Sequence, residues 1–217
     1  MPFEFGFCRP EDMDRCFEVV SLAFAHDHPY VDALFPGHDT PQGREHGARW
    51  LAEADLSPTT RLCKVVDTDT GVIAGFAKWD VYDGFTPDVG PSSLKGDHWP
   101  DEDAKEYADY IWWEFTRRRW AAVKKSGGRL VSLDLMTVDP AYHRRGVGKL
   151  LMKYGVDEAD RLGVKSVVEA TKLGRRLYES FGFETREDVL IPNPPKQAGQ
   201  KEQFMHWMTR PARDKQR

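Results

Sequence analysis

A short segment rich in arginine and glycine has the clearest chemical meaning in this sequence. Its glycines would let a ligand approach the backbone N–H groups, and the helix predicted directly after it would add the positive end of its dipole. Four basic or potentially basic side chains surround the two glycines. The segment therefore predicts an anion site that fits a pyrophosphate. Its residues are His143, Arg144, Arg145, Gly146, Val147, Gly148 and Lys149.

Two common phosphate-binding motifs do not match this segment. A Walker loop requires Gly at position 143 and Ser or Thr at position 150, where the chain has His143 and Leu150. A dinucleotide-binding fingerprint would require a third Gly at position 151, which is Leu151. The remaining readings are another kind of phosphate-binding loop and a strand-to-helix turn that binds nothing.

One carboxylate stands out as a candidate for proton transfer. Asp134 lies in the middle of an aliphatic strand, where a charge is costly unless a partner or water compensates it. Its alternative role is structural, as a carboxylate bonded to a nearby Ser, Arg or backbone amide. Regular alternation predicts two faces for the strand: Val131, Leu133, Leu135 and Thr137 on one, and Ser132, Asp134, Met136 and Val138 on the other.

Two segments together resemble the GCN5-related N-acetyltransferases, the GNAT superfamily. Residues 143–148 are similar to the family's Gln/Arg-x-x-Gly-x-Gly/Ala signature, although His143 stands where the family has Gln or Arg. The run Leu177-Tyr178-Glu179, followed by Gly182 and Phe183, is similar to the family's Leu-Tyr-Glu-x-x-Gly-Phe segment. The resemblance covers about a quarter of the chain.

The resemblance implies an α/β (α+β) fold of the GNAT type. Its central sheet would be mixed and mostly antiparallel, flanked by helices and splayed apart between the fourth and fifth strands. Residues 81–128 are too many for a structureless connection between the third and fourth strands, so they predict an extra helical insertion. We expect one N-acetyltransferase domain over residues 1–210 and a flexible tail over residues 211–217.

The resemblance also implies a role for each candidate residue. Residues 143–149 would bind the pyrophosphate of acetyl-CoA, the co-substrate. Tyr178 would act as general acid toward the departing thiolate. Asp134 would act as base, directly or through water, unless the amine loses its proton to solvent, and Ser132 is the other strand position at which family members carry a base. The thioester and pantetheine would follow the strand, and their predicted contacts are Met136, Thr137, Val138 and Thr171.

The composition of the chain argues against two classes of partner, nucleic acids and membranes. A net charge of -4 argues against a nucleic-acid partner, and no apolar run approaches the roughly 18 residues that cross a bilayer. The N-terminal segment lacks the features of a secretory signal, and three cysteines without metal-type spacing suit a reducing compartment. We expect a cytoplasmic protein, monomeric or homodimeric, without nucleic-acid or membrane partners.

Two further features keep open interpretations. His26 and His28 would need additional metal ligands, and the nearby His38 and His46 have no recognisable spacing, so we expect no metal and assign the segment to a surface loop or to the rim of a substrate pocket. An aromatic helix predicted from Pro100 to about residue 127 is either a core helix or the wall of an aromatic acceptor pocket.

These observations lead to one expected function and two alternatives. We expect an acyltransferase that moves an acetyl group from acetyl-CoA to a primary amine of a small molecule. The first alternative is acetylation of protein lysines or N-termini, which an open groove would favour. The second is a non-catalytic acyl-CoA-binding sensor. The sequence leaves open the identity of the amine and whether the donor carries a longer acyl group.

Overall fold

The computed structural model describes residues 2–91 and 94–213, through which a seven-stranded sheet runs. The strands are β1 (Phe3–Phe7), β2 (Thr60–Asp67), β3 (Ile73–Asp83), β4 (Arg129–Val138), β5 (Lys165–Ala170), β6 (Glu184–Ile191) and β7 (Gln203–Arg210). The helices are α1 (Met13–Phe24), α2 (Pro29–Leu34), α3 (Pro41–Asp55), α4 (Glu102–Lys125), α5 (Val147–Leu162) and α6 (Arg175–Glu179). Short 3-10 helices lie at Pro10–Asp12, Pro140–Tyr142 and Pro195–Gln197.

The sheet is mixed, as predicted. Its strand order is β1-β2-β3-β4-β5-β7-β6, and every neighbouring pair is antiparallel except the parallel pair β4 and β5. That parallel pairing joins only Leu130–Leu133 to Lys165–Val168. Beyond Leu133 no strand in the described part of the chain pairs with this edge of β4. The predicted splay between the fourth and fifth strands is therefore confirmed.

A β-bulge at Asp134 changes which side chains of β4 face each side of the sheet. Lys78 lies opposite Leu135 and Trp79 lies opposite Leu133, so Asp134 is an extra residue in β4. A bulge of one residue reverses the facing of everything that follows it. The predicted alternation is consequently wrong beyond Asp134. The residues of β4 that pack on the α5 side are Val131, Leu133, Met136 and Val138.

The helix α5 covers one face of the sheet, and two glycines set how closely it approaches. A Cβ on Gly155 would lie 2.4 Å from the Trp79 ring, whose Nε1 donates a hydrogen bond to the Leu151 carbonyl at 3.3 Å. A Cβ on Gly75 in β3 would lie 2.5 Å from a methyl group of Val147, the first residue of α5. These contacts fix the start of α5 close to the end of β4.

The predicted helical insertion is present on the opposite face. The third strand continues to Asp83, beyond the predicted end at Trp79, and α4 follows as a helix of 24 residues. Asp101 caps it by accepting a hydrogen bond from the Ala104 N–H at 2.8 Å. No helix among residues 2–91 and 94–213 is long and apolar enough to span a membrane. Residues 214–217 of the expected tail lie outside the described residues.

The close contact between Gly155 and Trp79 can be tested by adding a side chain at position 155. We expect Gly155→Val to lower the free energy of unfolding by at least about 2 kcal/mol, because its side chain would displace the indole in a close-packed core. Gly6→Val is the matched control, since nothing lies within 4 Å of a Cβ there, and it should change that free energy by less than about 0.5 kcal/mol. Urea unfolding measures both, and equal stabilities of the two variants would contradict this packing.

Candidate active site

The loop between β4 and α5 is anchored by Asp139. One carboxylate oxygen of Asp139 accepts a hydrogen bond from the Ala141 N–H at 2.9 Å, and the other accepts from the Arg15 guanidinium of α1. The carboxylate is largely buried, at 11% side-chain exposure. It therefore joins the end of β4 to α1 and fixes the direction in which the loop leaves the sheet.

Five consecutive backbone N–H groups of this loop lack a hydrogen-bond acceptor among the described residues. The amides of residues 144–148 donate no hydrogen bond within the described part of the chain. The first helical bonds of α5 come from Lys149 and Leu150, which donate to the Gly146 carbonyl at 3.1 and 3.4 Å. Arg144 and Gly146 have left-handed backbone conformations, with φ of 63° and 95°. Such a run of amides at a helix N-terminus forms an anion-binding concavity.

The basic side chains of the loop divide into two groups. His143 Nε2 donates a hydrogen bond to the Val138 carbonyl at 3.0 Å, so this ring closes the turn on the end of β4. The Arg145 guanidinium lies over the Phe3 and Tyr142 rings and 3.5 Å from Asp67. Both side chains therefore make contacts within the protein, and their contacts with phosphate remain predictions. The exposed Arg144 and Lys149 retain the predicted position beside the amides.

Beyond the bulge, β4 presents the backbone of alternate residues to the gap left by β5. The Asp139 N–H donates to the Ala74 carbonyl of β3 at 3.0 Å, and backbone groups of successive strand residues point to opposite edges. The peptide groups of Thr137 therefore face β3, whereas those of Met136 and Val138 face the gap. Thr137 is also only 4% exposed. This orientation disfavours the predicted cofactor contact of Thr137 and is compatible with those of Met136 and Val138, and all three contacts remain predictions.

The helix α6 places Tyr178 in the hydrophobic cluster against which Met136 and Val138 of β4 pack. A Cβ on Gly174 would lie 2.8 Å from the Tyr178 ring, so only glycine there lets the phenol pack against the first turn of α6. Tyr178 is 6% exposed, and its hydroxyl makes no hydrogen bond to the described residues. Burial raises the pKa of Tyr178 above its ordinary value. The phenol is therefore protonated at physiological pH and can donate a hydrogen bond.

Thr171 shapes the turn before α6. Its hydroxyl accepts a hydrogen bond from the Gly174 N–H at 3.2 Å, and its carbonyl accepts from the Arg175 N–H at 3.1 Å. Thr171 was predicted to contact the pantetheine arm directly. In the structure its polar groups fix the backbone that positions Tyr178, and the contact with pantetheine remains a prediction.

Asp134 belongs to a buried chain of charges on the sheet face that α4 covers. Its carboxylate accepts hydrogen bonds from Lys78 Nζ at 2.8 Å and from the Arg119 guanidinium. Burial alone would raise the pKa of Asp134, but the charges of Arg119 and Lys78 outweigh burial and hold that pKa well below its ordinary value. A carboxylate so stabilised in its ionised form is a poor proton acceptor. The geometry favours the alternative interpretation, a carboxylate paired with an Arg, and the general-base role of Asp134 remains a prediction.

The same chain of charges extends to both sides of Asp134. Arg119 donates to the Glu169 carboxylate through Nε and Nη2, at 3.1 and 2.7 Å, and Lys78 donates to Asp80 at 2.9 Å. Three carboxylates therefore share two cations. Burial, with the charge of Asp134 added to it, raises the pKa of Glu169 despite its bonds to Arg119. A further cation close to this cluster would complete its charge balance.

Aromatic side chains border the cluster on the side of α2. The Tyr30 and Phe115 rings stack with centroids 4.3 Å apart. Burial raises the pKa of Tyr30, and the charge of Asp134 adds to this shift, so the phenol lies within electrostatic reach of the cluster. His28 packs edge-on against Phe115 with its ring centroid 6.0 Å away, and burial lowers the pKa of His28 to about 4. His28 is therefore packed against these aromatic rings, and its predicted place on the rim of a substrate pocket remains a prediction.

Ser132 and two tyrosines of α4 lie next to this region: Ser132 is opposite Asp80 in the sheet, and Tyr110 packs against the hydrophobic cluster of Phe115. Ser132 is fully buried, and its hydroxyl has no hydrogen-bond partner among the described residues, so its predicted catalytic role is not supported. Tyr107 and Tyr110 of α4 donate hydrogen bonds to Asn193 at 3.0 Å and to the Pro192 carbonyl at 2.7 Å, which fastens the connection between β6 and β7. Of the aromatic side chains on α4, Phe115 is the one that stacks on Tyr30.

Sequence reasoning missed Arg119, Tyr30 and Phe115. A signal for Arg119 was present, because it follows Phe115 by four residues and therefore lies on the same apolar helix face. An Arg on such a face requires a buried anion as partner. No comparable signal exists for Tyr30, because its pairing with Phe115 depends on how α2 packs against α4.

Comparison with known proteins identifies a family and relatives. A family model described as the acetyltransferase (GNAT) domain matches residues 105–185, from α4 to the start of β6. An uncharacterized N-acetyltransferase of Schizosaccharomyces pombe is 25% identical over 191 residues, which cover 80% of this chain and 78% of that protein.

Solved structures share the fold over nearly the full length. Arylalkylamine N-acetyltransferase 2 from Aedes aegypti has a TM-score of 0.65 and 19% identity, covering 97% of this chain and 99% of its own. The putative acetyltransferase yncA from Salmonella typhimurium, solved with its cofactor acetyl-CoA, has a TM-score of 0.57 and 17% identity, covering 100% and 98%. At these identities the similarity is one of fold.

The anion site at the start of α5 can be tested by filling it. A Cβ on Gly148 already lies 3.0 Å from a methyl group of Leu177, so the indole of Gly148→Trp would be forced toward the loop amides. We expect this variant to lose binding of CoA by at least about a hundredfold, since the amides supply the anion contacts. Calorimetry measures the affinity, and circular dichroism checks the fold.

Lys153→Trp is the matched control, because Lys153 is exposed on α5 and away from the loop. It should bind CoA as the unmodified chain does. Unchanged CoA affinity in a folded Gly148→Trp variant would show that the phosphates bind elsewhere.

Proposed function

Because the chain belongs to the GNAT superfamily and is an acyl-CoA-dependent N-acetyltransferase, we propose that it transfers the acetyl group of acetyl-CoA to the primary amine of a small molecule that carries an aromatic ring. The observation that carries the cofactor part of this proposal is the row of five unpaired amides at residues 144–148, next to the unpaired edge of β4. The pyrophosphate binds the amides. The pantetheine extends along β4 toward Tyr178, as an added strand would.

The reaction proceeds by direct attack of the neutral amine on the thioester carbonyl. A C–N bond forms, the carbonyl oxygen becomes an oxyanion, and the C–S bond then breaks to release the CoA thiolate. The Met136 N–H, which faces the gap, donates to the oxyanion. The attacking nitrogen is positively charged after the C–N bond forms, and it loses one proton to water to give the amide.

Tyr178 stabilises the departing thiolate by donating a hydrogen bond. By reference values a thiol has a pKa of about 8.5 and a phenol of about 10, so complete proton transfer from Tyr to thiolate is uphill. Burial raises the pKa of Tyr178 further and makes the transfer less favourable still. The phenol therefore acts mainly as a hydrogen-bond donor, and the thiolate takes its final proton from solvent.

Asp134 acts in recognition rather than as a base. The excess negative charge of the cluster formed by Asp80, Asp134 and Glu169 with Lys78 and Arg119 attracts an ammonium group. Asp134 has the most exposed carboxylate of the three, at 14%. The ammonium is drawn to this point and loses its proton to water before attack.

The acceptor class follows from the surroundings of Asp134. The stacked Tyr30 and Phe115 rings suit an aromatic ring connected to the amine by a short chain. The fold similarity to an arylalkylamine N-acetyltransferase supports the same class. A protein lysine offers the amine but no ring, which makes it the weaker candidate, and Tyr178 beside the gap argues against a sensor without turnover.

The proposal predicts a ranking of acceptors. With acetyl-CoA, phenylethylamine and tryptamine should release free thiol with kcat/KM at least about tenfold higher than a lysine-containing peptide, because only the small amines fill the aromatic surface. Thiol release with the peptide alone would favour the protein acetyltransferase, and release with none of the amines would favour the sensor.

Tyr178→Phe serves as the catalytic control in the same assay. It should lower kcat by at least about tenfold while CoA affinity, measured by calorimetry, changes little, because the lost hydrogen bond forms only with the leaving thiolate. An unchanged kcat would remove Tyr178 from the mechanism.

The absence of Asp134 from proton transfer predicts a particular pH profile. Without an internal base, kcat/KM follows the fraction of neutral amine and should rise about tenfold per pH unit up to the pKa of the amine, near 10 for an alkylamine. The raised pKa of Tyr178 keeps the phenol protonated over this range. An aryl-alkyl amine of lower pKa should reach its plateau at correspondingly lower pH. A plateau near neutral pH that is the same for both amines would instead reveal an internal base.

A further inference from the structure

Three side chains with metal-ligating atoms converge beyond the end of α1. His26 follows α1, Asp32 lies in α2, and His38 lies in the loop after α2. One oxygen of Asp32 is 2.8 Å from His26 Nδ1 and 3.2 Å from His38 Nε2. The three atoms all lie within 4.8 Å of one another. The spacing in the sequence did not predict this convergence, because α2 and its loop fold back on α1 to create it.

A second set of contacts orients both imidazole rings. His38 is fully buried, and its Nδ1 lies 2.8 Å from the Ser21 hydroxyl. His26 Nε2 lies 3.4 Å from the Asp39 carboxylate. In each ring, one nitrogen therefore contacts a polar side chain, Ser21 or Asp39, and the other nitrogen is directed at Asp32. Metal-ligating histidines are oriented in this way, with a carboxylate or another polar group on the nitrogen that does not bind metal.

We propose that His26 Nδ1, Asp32 and His38 Nε2 bind a zinc ion, with water as the fourth ligand. Zn²⁺ accepts two imidazoles and a carboxylate in tetrahedral geometry, and bonds of 2.0–2.1 Å place neighbouring ligand atoms about 3.3 Å apart. The separations from the Asp32 oxygen, 2.8 and 3.2 Å, need only small adjustments to reach that value. The side chain of His26 is 61% exposed and can move toward the metal.

The surroundings allow a metal ion to enter, and they also satisfy both imidazole rings when no metal is bound. A cleft of about 320 Å³, lined in part by Ser21, Ala25, His26 and Asp39, opens beside His26. Without metal, both rings can donate to the Asp32 carboxylate. To bind metal, His38 has only to carry its proton on Nδ1 instead of Nε2. The Ser21 hydroxyl suits both tautomers, because a hydroxyl donates or accepts equally well.

Zinc at this point would act on the acceptor side of the active site. His26 and Asp32 flank the segment that contains Tyr30, so a metal bridge between them would restrain that segment. The zinc site itself rests on His26, Asp32 and His38 and does not depend on the proposed acceptor.

Zinc binding should be measured on the full, untagged chain after metal removal with a chelator. Titration calorimetry with Zn²⁺ should show one saturable equivalent, and Co²⁺ should give the visible absorption bands of a tetrahedral site. His26→Ala and Asp32→Asn should each weaken Zn²⁺ binding by at least about a hundredfold, and Asp39→Asn by about tenfold as an outer contact. His38 is left unchanged because it is buried. Zn²⁺ should raise the melting temperature of the unmodified chain but not of Asp32→Asn.

His46→Ala is the matched control, because His46 lies in α3 outside the three ligands. It should keep the affinity of the unmodified chain. Absence of saturable Zn²⁺ binding by the unmodified chain would overturn the proposal. The same conclusion would follow if His26→Ala and Asp32→Asn kept full affinity, or if His46→Ala lost it.

Discussion

The arrangement of the proposed active site depends on backbone N–H groups that have no hydrogen-bond partner among the described residues. A sheet normally satisfies its own amides, and leaving them without partners costs free energy once water is excluded. Here β4 and β5 separate after Leu133, and the next amides to lack partners are those of residues 144–148 at the start of α5. The gap-facing backbone groups of Met136 and Val138 and the amides of residues 144–148 follow one another along β4 and the loop after it. In the proposed function a single extended ligand, with amide groups at one end and a pyrophosphate at the other, satisfies both.

The β-bulge at Asp134 couples this backbone arrangement to the charges beneath it. The extra residue rotates Met136 and Val138 toward α5, while Asp134 itself remains on the side of α4. There it meets Lys78 and Arg119, whose charges keep it ionised. One local irregularity in β4 thus separates two tasks on the two sides of the sheet. The α5 side takes the cofactor, and the α4 side presents a buried cluster with unbalanced negative charge.

Much of this could be predicted from the sequence, and the failures have a common physical origin. The helix that follows Gly146, the short helix that carries Tyr178 and the long aromatic helix α4 all have local sequence signals, and the structure has a helix at each place. The orientation of Thr137 was wrong because strand alternation assumes an unbroken register. The partner of Asp134 could not be specified from the sequence because Arg119 lies on another element. The convergence of His26, Asp32 and His38 likewise depends on how α1 and α2 pack, which no sequence spacing specifies.

A crystal structure of this chain with bound CoA tests the central claim most directly. The account predicts pyrophosphate oxygens within hydrogen-bonding distance, about 2.7–3.2 Å, of the amides of residues 144–148, and the CoA sulfur beside the Tyr178 hydroxyl. Phosphates bound away from these amides, or a sulfur on the far side of the sheet from Tyr178, would contradict it.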